Sequence, residues 1–308
     1  MRPKLSDSYG QTLATGVPVA ADATEGIDME QQSTVLDPIK TKHRAMWALG
    51  DYDRIATEVI SELGGVLVAA ADVRPGERVL DVAAGSGNAS LPAAIAGGRV
   101  VATDLTPELV EIGRQRSVAQ GLDIAWQEAD AEHLGFADAE FDVVLSCVGV
   151  MFAPFHQPVA DELVRVTRAG GRIALINWTP SGFIGQLFAT MKPFAAAPPP
   201  GATPGPRWGD EEHVRSLFGD AVSELHAEPR TLRVDRFKSG KEFRDFFASF
   251  YGPTIAAYRN VADDPDRTGA LDRALVDLAD AHGAASGVME WEYLLVVAKV
   301  ANVADAER

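Results

Sequence analysis

Cysteine occurs once in 308 residues, at Cys147, so no intramolecular disulfide can form and a reducing, cytoplasmic setting is expected. Basic residues are scarce as well. Against 44 Asp and Glu stand only 28 Lys and Arg, and the net charge of -16 argues against a nucleic-acid partner. No local basic patch offsets it, because Arg165, Arg168 and Arg172 are interleaved with apolar and acidic residues as on a solvated helix face. Long apolar runs are missing: nothing approaches the roughly 20 residues of a membrane span, and the N-terminus lacks the apolar block of a secretory signal. His43, His133, His213, His226 and His282 have no acidic or cysteine partners at ligand spacing, so no metal is expected.

What remains is a chain built to fold. At 46% hydrophobic and 23% charged residues it has ordinary globular composition, and its length suits one large domain with an insertion. Residues 1–40, rich in Ser, Thr, Gly, Asp and Gln without periodicity, are expected to form a mobile arm, leaving 41–308 as the domain. Two helices carrying Ala45, Met46, Leu49 and then Ile55, Val59, Ile60 and Leu63 lead into an alternation of apolar runs and helical patterns, the signature of parallel βαβ units. Strands are predicted at 78–82, 99–103, 123–127, 141–146 and 172–177, a sixth at 222–237 and a last at 289–300. Pro107–Gln120 opens as a helix behind Thr106 as N-cap, and Gln157–Arg168 runs as a helix up to a glycine stop. The Pro-rich stretch 194–208 is expected to be an extended loop and a candidate lid. Two helical patterns, Lys241–Tyr258 and Thr268–His282, form a cap insertion, 238–286, between the last two strands.

The richest chemical signal is Val79-Leu80-Asp81-Val82-Ala83-Ala84-Gly85-Ser86-Gly87, with Asp104 at the end of the next apolar run. Small residues after a buried strand let the backbone turn sharply and a ligand come close, and an acid at the next strand end can take both ribose hydroxyls. Three nucleotide readings compete. Phosphate transfer fails because Asn88-Ala89-Ser90 lacks the P-loop lysine. A dinucleotide loop wants a third glycine where Ser90 stands. The third reading uses Asp81, an acid before the loop that neither rival demands, and suits a cofactor with an amino group and no phosphate.

Asp81 to Gly87 resembles the first motif of class I S-adenosylmethionine-dependent methyltransferases, with Ala83 where that family usually has glycine. Ala102-Thr103-Asp104-Leu105 resembles the family's ribose motif, Glu128 to Glu132 the segment where an acid meets the adenine amino group, and Phe141 to Ser146 the fourth strand. The likeness runs from about Arg44 to Trp178 and includes the final strand. Within the family it is most similar to the small-molecule branch of quinone-biosynthesis and actinobacterial natural-product methyltransferases. The resemblance implies an α/β fold: a doubly wound, mostly parallel seven-stranded sheet, Rossmann-like, with a helical cap between the last two strands. It also implies S-adenosylmethionine as donor, S-adenosylhomocysteine as product, and Asp81, Ala83, Gly85, Ser86, Gly87, Asp104, Leu105, Asp130 and Ala131 around them. Trp47 and Tyr52 stand where the family covers its cofactor with an N-terminal helix, although aromatics there also serve as core.

Cys147 follows the fourth strand where the transferred methyl should lie, and is counted with the cofactor residues; a lone cysteine in an apolar run is also ordinary core. Glu128 and Glu132 are read as solvated. His156 after the same strand is a candidate base, and Tyr251, on the aromatic stripe of the cap, a candidate at the acceptor pocket. The expected activity is in-line methyl transfer to a small, partly apolar acceptor, with oxygen, nitrogen or carbon as nucleophile. A peptide terminus is an alternative acceptor. A nicotinamide-dependent reductase with an atypical loop and a non-catalytic cofactor-binding relative stand as rival functions.

Overall fold

The computed structural model describes residues 37–302; most of the expected arm, 1–36, lies outside the described residues. Three helices come first: α1 (Pro38–Trp47), α2 (Tyr52–Glu58) and α3 (Ser61–Ala70). The α1 helix starts inside the segment read as arm, capped by Asp37, whose carboxylate accepts from the Ile39 N–H at 2.8 Å, with Pro38 preset for the first turn. Then follow β1 (Arg78–Val82), α4 (Ser90–Ile95), β2 (Arg99–Asp104), α5 (Pro107–Ala119), β3 (Ile124–Glu128) and β4 (Phe141–Cys147). The chain continues through α6 (His156–Val166), β5 (Thr167–Trp178), α7 (Phe183–Met191), α8 (Glu211–Phe218) and β6 (Val222–Val234). The cap comprises α9 (Gly240–Phe250), α10 (Gly252–Asn260) and α11 (Pro265–Ala281), and β7 (Met289–Val300) closes the fold.

The seven strands form one sheet in the order β3-β2-β1-β4-β5-β7-β6. Strands β1 to β5 run parallel, and β7 enters antiparallel between β5 and β6. From β1 the order runs outward in both directions, so the loops leaving β1 and β4 diverge and open a crevice at their carboxyl ends, where ligands of such sheets bind. The central strands are buried on both faces, with Val79, Leu80, Val143, Val144 and Leu145 wholly covered, which is why they read as continuous apolar runs.

Three details differ from the sequence reading. The helix expected to reach Arg168 stops at Val166, where β-branched Thr167 pairs with Phe141 and β5 begins five residues earlier than expected. The long cap helix 241–258 is two helices, broken at Tyr251, because Pro253 has no N–H to continue the ladder. The α7 helix was not anticipated; its Phe183, Ile184, Leu187 and Met191 are buried, so it is core packing. The Pro-rich stretch is seated on the sheet end, with the Thr203 N–H on the Pro154 carbonyl at 2.9 Å, and finishes in a 3-10 turn at Gly205–Gly209.

Close packing of α3 on the loop after β1 holds that crevice in shape. A Cβ on Gly64 would lie 1.7 Å from the Asn88 carbonyl oxygen, whereas one on its neighbour Gly65 would meet nothing within 4 Å. Gly64→Ala is therefore expected to cost about 2–3 kcal/mol by forcing backbone apart, and Gly65→Ala to gain about 0.5–1 kcal/mol of helix propensity. Chemical denaturation of the two variants checks this; equal effects would contradict the packing.

Candidate active site

At the end of β1 the chain turns through Ala83 and Gly85, with φ of +53° and +57°. Glycine accepts such angles freely; for Ala83 they carry a strain of order 1 kcal/mol, which neighbouring bonds must hold. Those bonds are present. The Ala84 N–H donates to the Thr103 carbonyl at 2.8 Å, and the Gly85 N–H donates to Asp104 Oδ2 at 2.9 Å. The other oxygen of Asp104 accepts from the Thr106 N–H at 2.8 Å. Thr106 occupies the N-cap of α5 but its side chain makes no capping bond; Asp104 instead fixes the N-cap residue itself through the Thr106 backbone N–H. Burial pushes the Asp104 carboxyl upward, opposed by the two N–H groups that favour its charged form.

A cavity of about 650 Å³ opens over these strand ends. Of the expected cofactor residues it is lined by Trp47, Tyr52, Ala83, Gly85, Asp104, Leu105, Asp130 and Ala131. The other four do not line it. Asp81 is fully buried under the loop, where Ser90 Oγ donates to its Oδ2 at 2.5 Å, tying the loop to the start of α4. Ser86 is buried, and its hydroxyl and carbonyl oxygens each lie 3.1 Å from Arg116 Nη1. Gly87 faces Trp126, whose ring would stand 3.0 Å from a Cβ. Cys147 turns its thiol to Asn88 Nδ2 at 3.8 Å, and burial drives its pKa up, which removes it as a nucleophile. Val148, the residue after β4, lines the cavity in place of Cys147; its φ of +55° turns the chain there, and Gly149, Val150 and Phe152 follow on the same wall.

Two lining residues that the sequence gave no reason to choose, Lys40 and His43, come from α1. Lys40 is 7% exposed and its ammonium meets Asp130 Oδ1 at 2.8 Å and Glu132 Oε2 at 2.7 Å. Glu132, expected in solvent, is mostly covered and also accepts the Phe155 N–H at 3.0 Å. Arg44–Glu128 at 2.7 Å and Arg116–Asp53 at 2.8 Å complete a set of ion pairs fastening α1 and α2 around the mouth. His43 is held neutral, its pKa lowered by burial and by Lys40.

A second, smaller cavity of about 300 Å³ lies between the sheet and the cap, lined by Trp178, Trp291, Phe247, Tyr251, Ile55, Ile60 and Ile184. It shares Tyr52, Val148 and Phe152 with the larger one, and Trp47 packs on three of the rings at the junction: Phe152 at 4.5 Å, Tyr52 at 5.5 Å and Tyr251 at 5.9 Å. Burial raises the pKa of both tyrosines, so neither is a base at neutral pH. His156 lines neither cavity. Its Nδ1 lies 2.9 Å from His213 Nε2 and its ring packs on Trp208; burial, His213 and Arg207 bring its pKa to about 4. The expected role of His156 as a base therefore falls: it is an interior residue joining α6 to α8. Among the described residues no three His, Cys, Asp or Glu side chains gather as metal ligands, and no helix is long and apolar enough to cross a membrane.

Fold and crevice define the class: a doubly wound α/β protein with a nucleoside-type site at the switch point of its sheet. Comparison narrows it. A methyltransferase-domain profile matches residues 80–175, the span from β1 to β5. Two uncharacterised proteins of Mycobacterium tuberculosis are 51% and 52% identical over 259 and 257 residues, covering 84% and 83% of this chain and 94% and 93% of theirs. A ubiquinone/menaquinone biosynthesis C-methyltransferase of Ectopseudomonas mendocina is 27% identical over 249 residues, 78% of this chain and 92% of that protein. The YcgJ structure from Bacillus subtilis superposes with a TM-score of 0.54 at 16% identity, over 78% of this chain and 99% of that one, a likeness of fold. The chain belongs to the S-adenosylmethionine-dependent methyltransferases.

Asp81 gives a direct test of the geometry around the loop. Burial raises its pKa from 3.8 to about 7 in the folded protein. A raised folded value means the native state favours the neutral acid, so this contribution to stability is complete below the unfolded value and fades as pH climbs towards 7. Asp81→Asn is uncharged throughout, so its stability relative to the parent should rise by about 1 kcal/mol or more between pH 4 and 7 and level off above. Urea denaturation across that range measures the difference; a pH-independent one would refute the buried placement.

Proposed function

We propose that the larger cavity holds S-adenosylmethionine and that the smaller one holds a small, partly apolar methyl acceptor. The observation carrying this reading is that two cavities of different character share one wall, Tyr52, Val148 and Phe152, so that molecules filling them meet there.

The residues present suit this cofactor. Asp104 puts a carboxylate at the cavity wall for a ribose diol, beside the backbone of Gly85 and Leu105, and Asp130 with Ala131 lies on the side expected for the adenine. Asp81, beneath the loop, acts by holding its shape through Ser90. A dinucleotide suits it less well. Its pyrophosphate needs cations or a free helix N-terminus, and the lysine on this cavity, Lys40, is already paired with two acids.

When bound, S-adenosylmethionine supplies an electrophilic methyl on a sulfonium sulfur. The chain's own part is alignment and exclusion of water: Trp47, Tyr52 and Phe152 wall off the junction, and the cap covers the acceptor side. Orientation of two bound reactants is worth on the order of 7–11 kcal/mol, which accounts for a site with no acid–base pair at the shared wall.

Calorimetry with S-adenosylhomocysteine tests the reading. Binding in the nanomolar to micromolar range is expected, weakened about 10-fold or more in Asp104→Asn, which removes the charge and sets an amide NH2 against one of the two backbone N–H groups that the carboxylate holds. Tight NADH binding with no S-adenosylhomocysteine binding would favour the reductase. Binding without methyl transfer to any acceptor in an extract of the native host, followed with methyl-labelled cofactor, would favour a non-catalytic relative.

A further inference from the structure

Lys40 is the one lysine or arginine among the residues lining the larger cavity, and its charge is directed into the wall. Its ammonium bridges Asp130 Oδ1 and Glu132 Oε2, and Glu132 is in turn held through its Oε1 by the Phe155 N–H at 3.0 Å. The same Asp130 Oδ1 also accepts the Glu132 N–H at 3.0 Å, while the Asp130 carbonyl accepts the His133 N–H at 2.9 Å. One carboxylate oxygen is therefore fully engaged. The other, Oδ2, makes no hydrogen bond among the described residues and is not one of the buried atoms left without a partner. It belongs to a side chain that is 23% exposed and lines the cavity, so it is the oxygen open to an occupant. A carboxylate held by an ammonium accepts hydrogen bonds and does not donate them.

We propose that Lys40 is a positioning residue for the nucleobase: by holding Asp130 Oδ1 it leaves Oδ2 to the cavity as a fixed acceptor, and so sets a preference for a purine edge that carries an amino group. That the occupant is the nucleoside of S-adenosylmethionine rests on the reading above; the fixing of Asp130 does not. Asp130 alone would be a poor reader. Without the lysine its Oδ1 keeps only the Glu132 N–H, and the carboxylates of Asp130 and Glu132, which now share one cation, would repel each other across the same wall. A partly exposed side chain relieves that repulsion by turning to water, and the acceptor then points nowhere in particular. With Lys40 in place the two charge-assisted bonds, each about twice as strong as a neutral one, fix the carboxylate before a ligand arrives. The rival role is a mere pin for α1. Arg44, four residues on, pins the same helix through Glu128 at 2.7 Å without bonding to Asp130, so the two roles can be separated.

Two probes read the preference by calorimetry on the full chain: S-adenosylhomocysteine, and its 6-deamino analogue with hydrogen in place of the purine amino group. The parent should favour the first by about 10–100-fold, the worth of a hydrogen bond to a charged acceptor. In Lys40→Met that ratio should fall to about 3-fold or less, and Lys40→Arg, which keeps the charge, should hold it above about 10-fold. Arg44→Met should weaken both probes alike and leave the ratio within about twofold. In an Asp130→Asn background, adding Lys40→Met should change the ratio by less than about twofold, since the lysine acts through that acid. If circular dichroism shows Lys40→Met unfolded, Lys40→Gln, neutral and still able to donate, makes the same comparison. A parent ratio near one, a ratio untouched by the Lys40 variants, or an equal collapse in Arg44→Met would each overturn the proposal. With S-adenosylhomocysteine bound, any of these sinks the role of Lys40 and leaves the methyl-transfer reading standing. Absence of S-adenosylhomocysteine binding by the parent sinks that reading and the base preference with it.

Discussion

The Asp104 carboxylate accepts two backbone N–H groups from opposite sides, Gly85 on the β1 loop and Thr106 at the start of α5. One charged group thereby fixes the turn after β1, the end of β2 and the direction of α5. Two charge-assisted bonds in a buried place are each stronger than a neutral one, and they oppose the desolvation that burial imposes on the acid. Without them the strained turn at Ala83 would have little reason to persist, because its φ of +53° is held by the surroundings and not by the residue. Asp81 supports the same turn from below through Ser90, so two acids on adjacent strands brace one loop. The larger cavity is the space that this bracing leaves open.

Around that space the ion pairs do a different job. Lys40 with Asp130 and Glu132, and Arg44 with Glu128, join α1 to the end of β3 and its loop, and Asp53 with Arg116 joins α2 to α5, across sequence separations that no local pattern links. Exposed pairs of this kind contribute little each, about 0–1 kcal/mol. The Lys40 pair differs because the lysine is covered, and losing one partner would leave a buried charge behind. Hence α1 is part of the site wall, although sequence reading placed its first residues in a mobile arm.

What the sequence made legible was whatever depends on local order. The strand at Arg78–Val82 and the acid at Asp104 were recoverable because a buried parallel strand is a continuous apolar run and its loop follows at once. Asp104, Gly85, Leu105 and Ala131, singled out on those grounds, line the larger cavity. Errors came where one residue of register or one distant partner decides. Cys147 and Val148 are adjacent, and the turn that ends β4, with Val148 at a φ of +55°, decides which one faces the cavity. His156 looked available because its partner, His213, arrives from 57 residues away on α8. Lys40 carried no signal, since a lysine near acids separated by 90 residues is indistinguishable in sequence from a surface one.

The two cavities also divide the electrostatics. Charge is confined to the larger one, where Asp104, Asp130 and Lys40 line the wall, and the smaller one has none. Low dielectric in the smaller cavity strengthens any field reaching across Val148 and the rings of Tyr52 and Phe152, and it penalises reactants that stay charged. A reaction that neutralises charge at the shared wall is favoured by that arrangement, and one that creates charge there is opposed. Methyl transfer from a sulfonium to an already ionised oxygen or carbon nucleophile ends with less charge than it began; transfer to a neutral amine moves the sulfonium's positive charge onto the acceptor, into the apolar cavity.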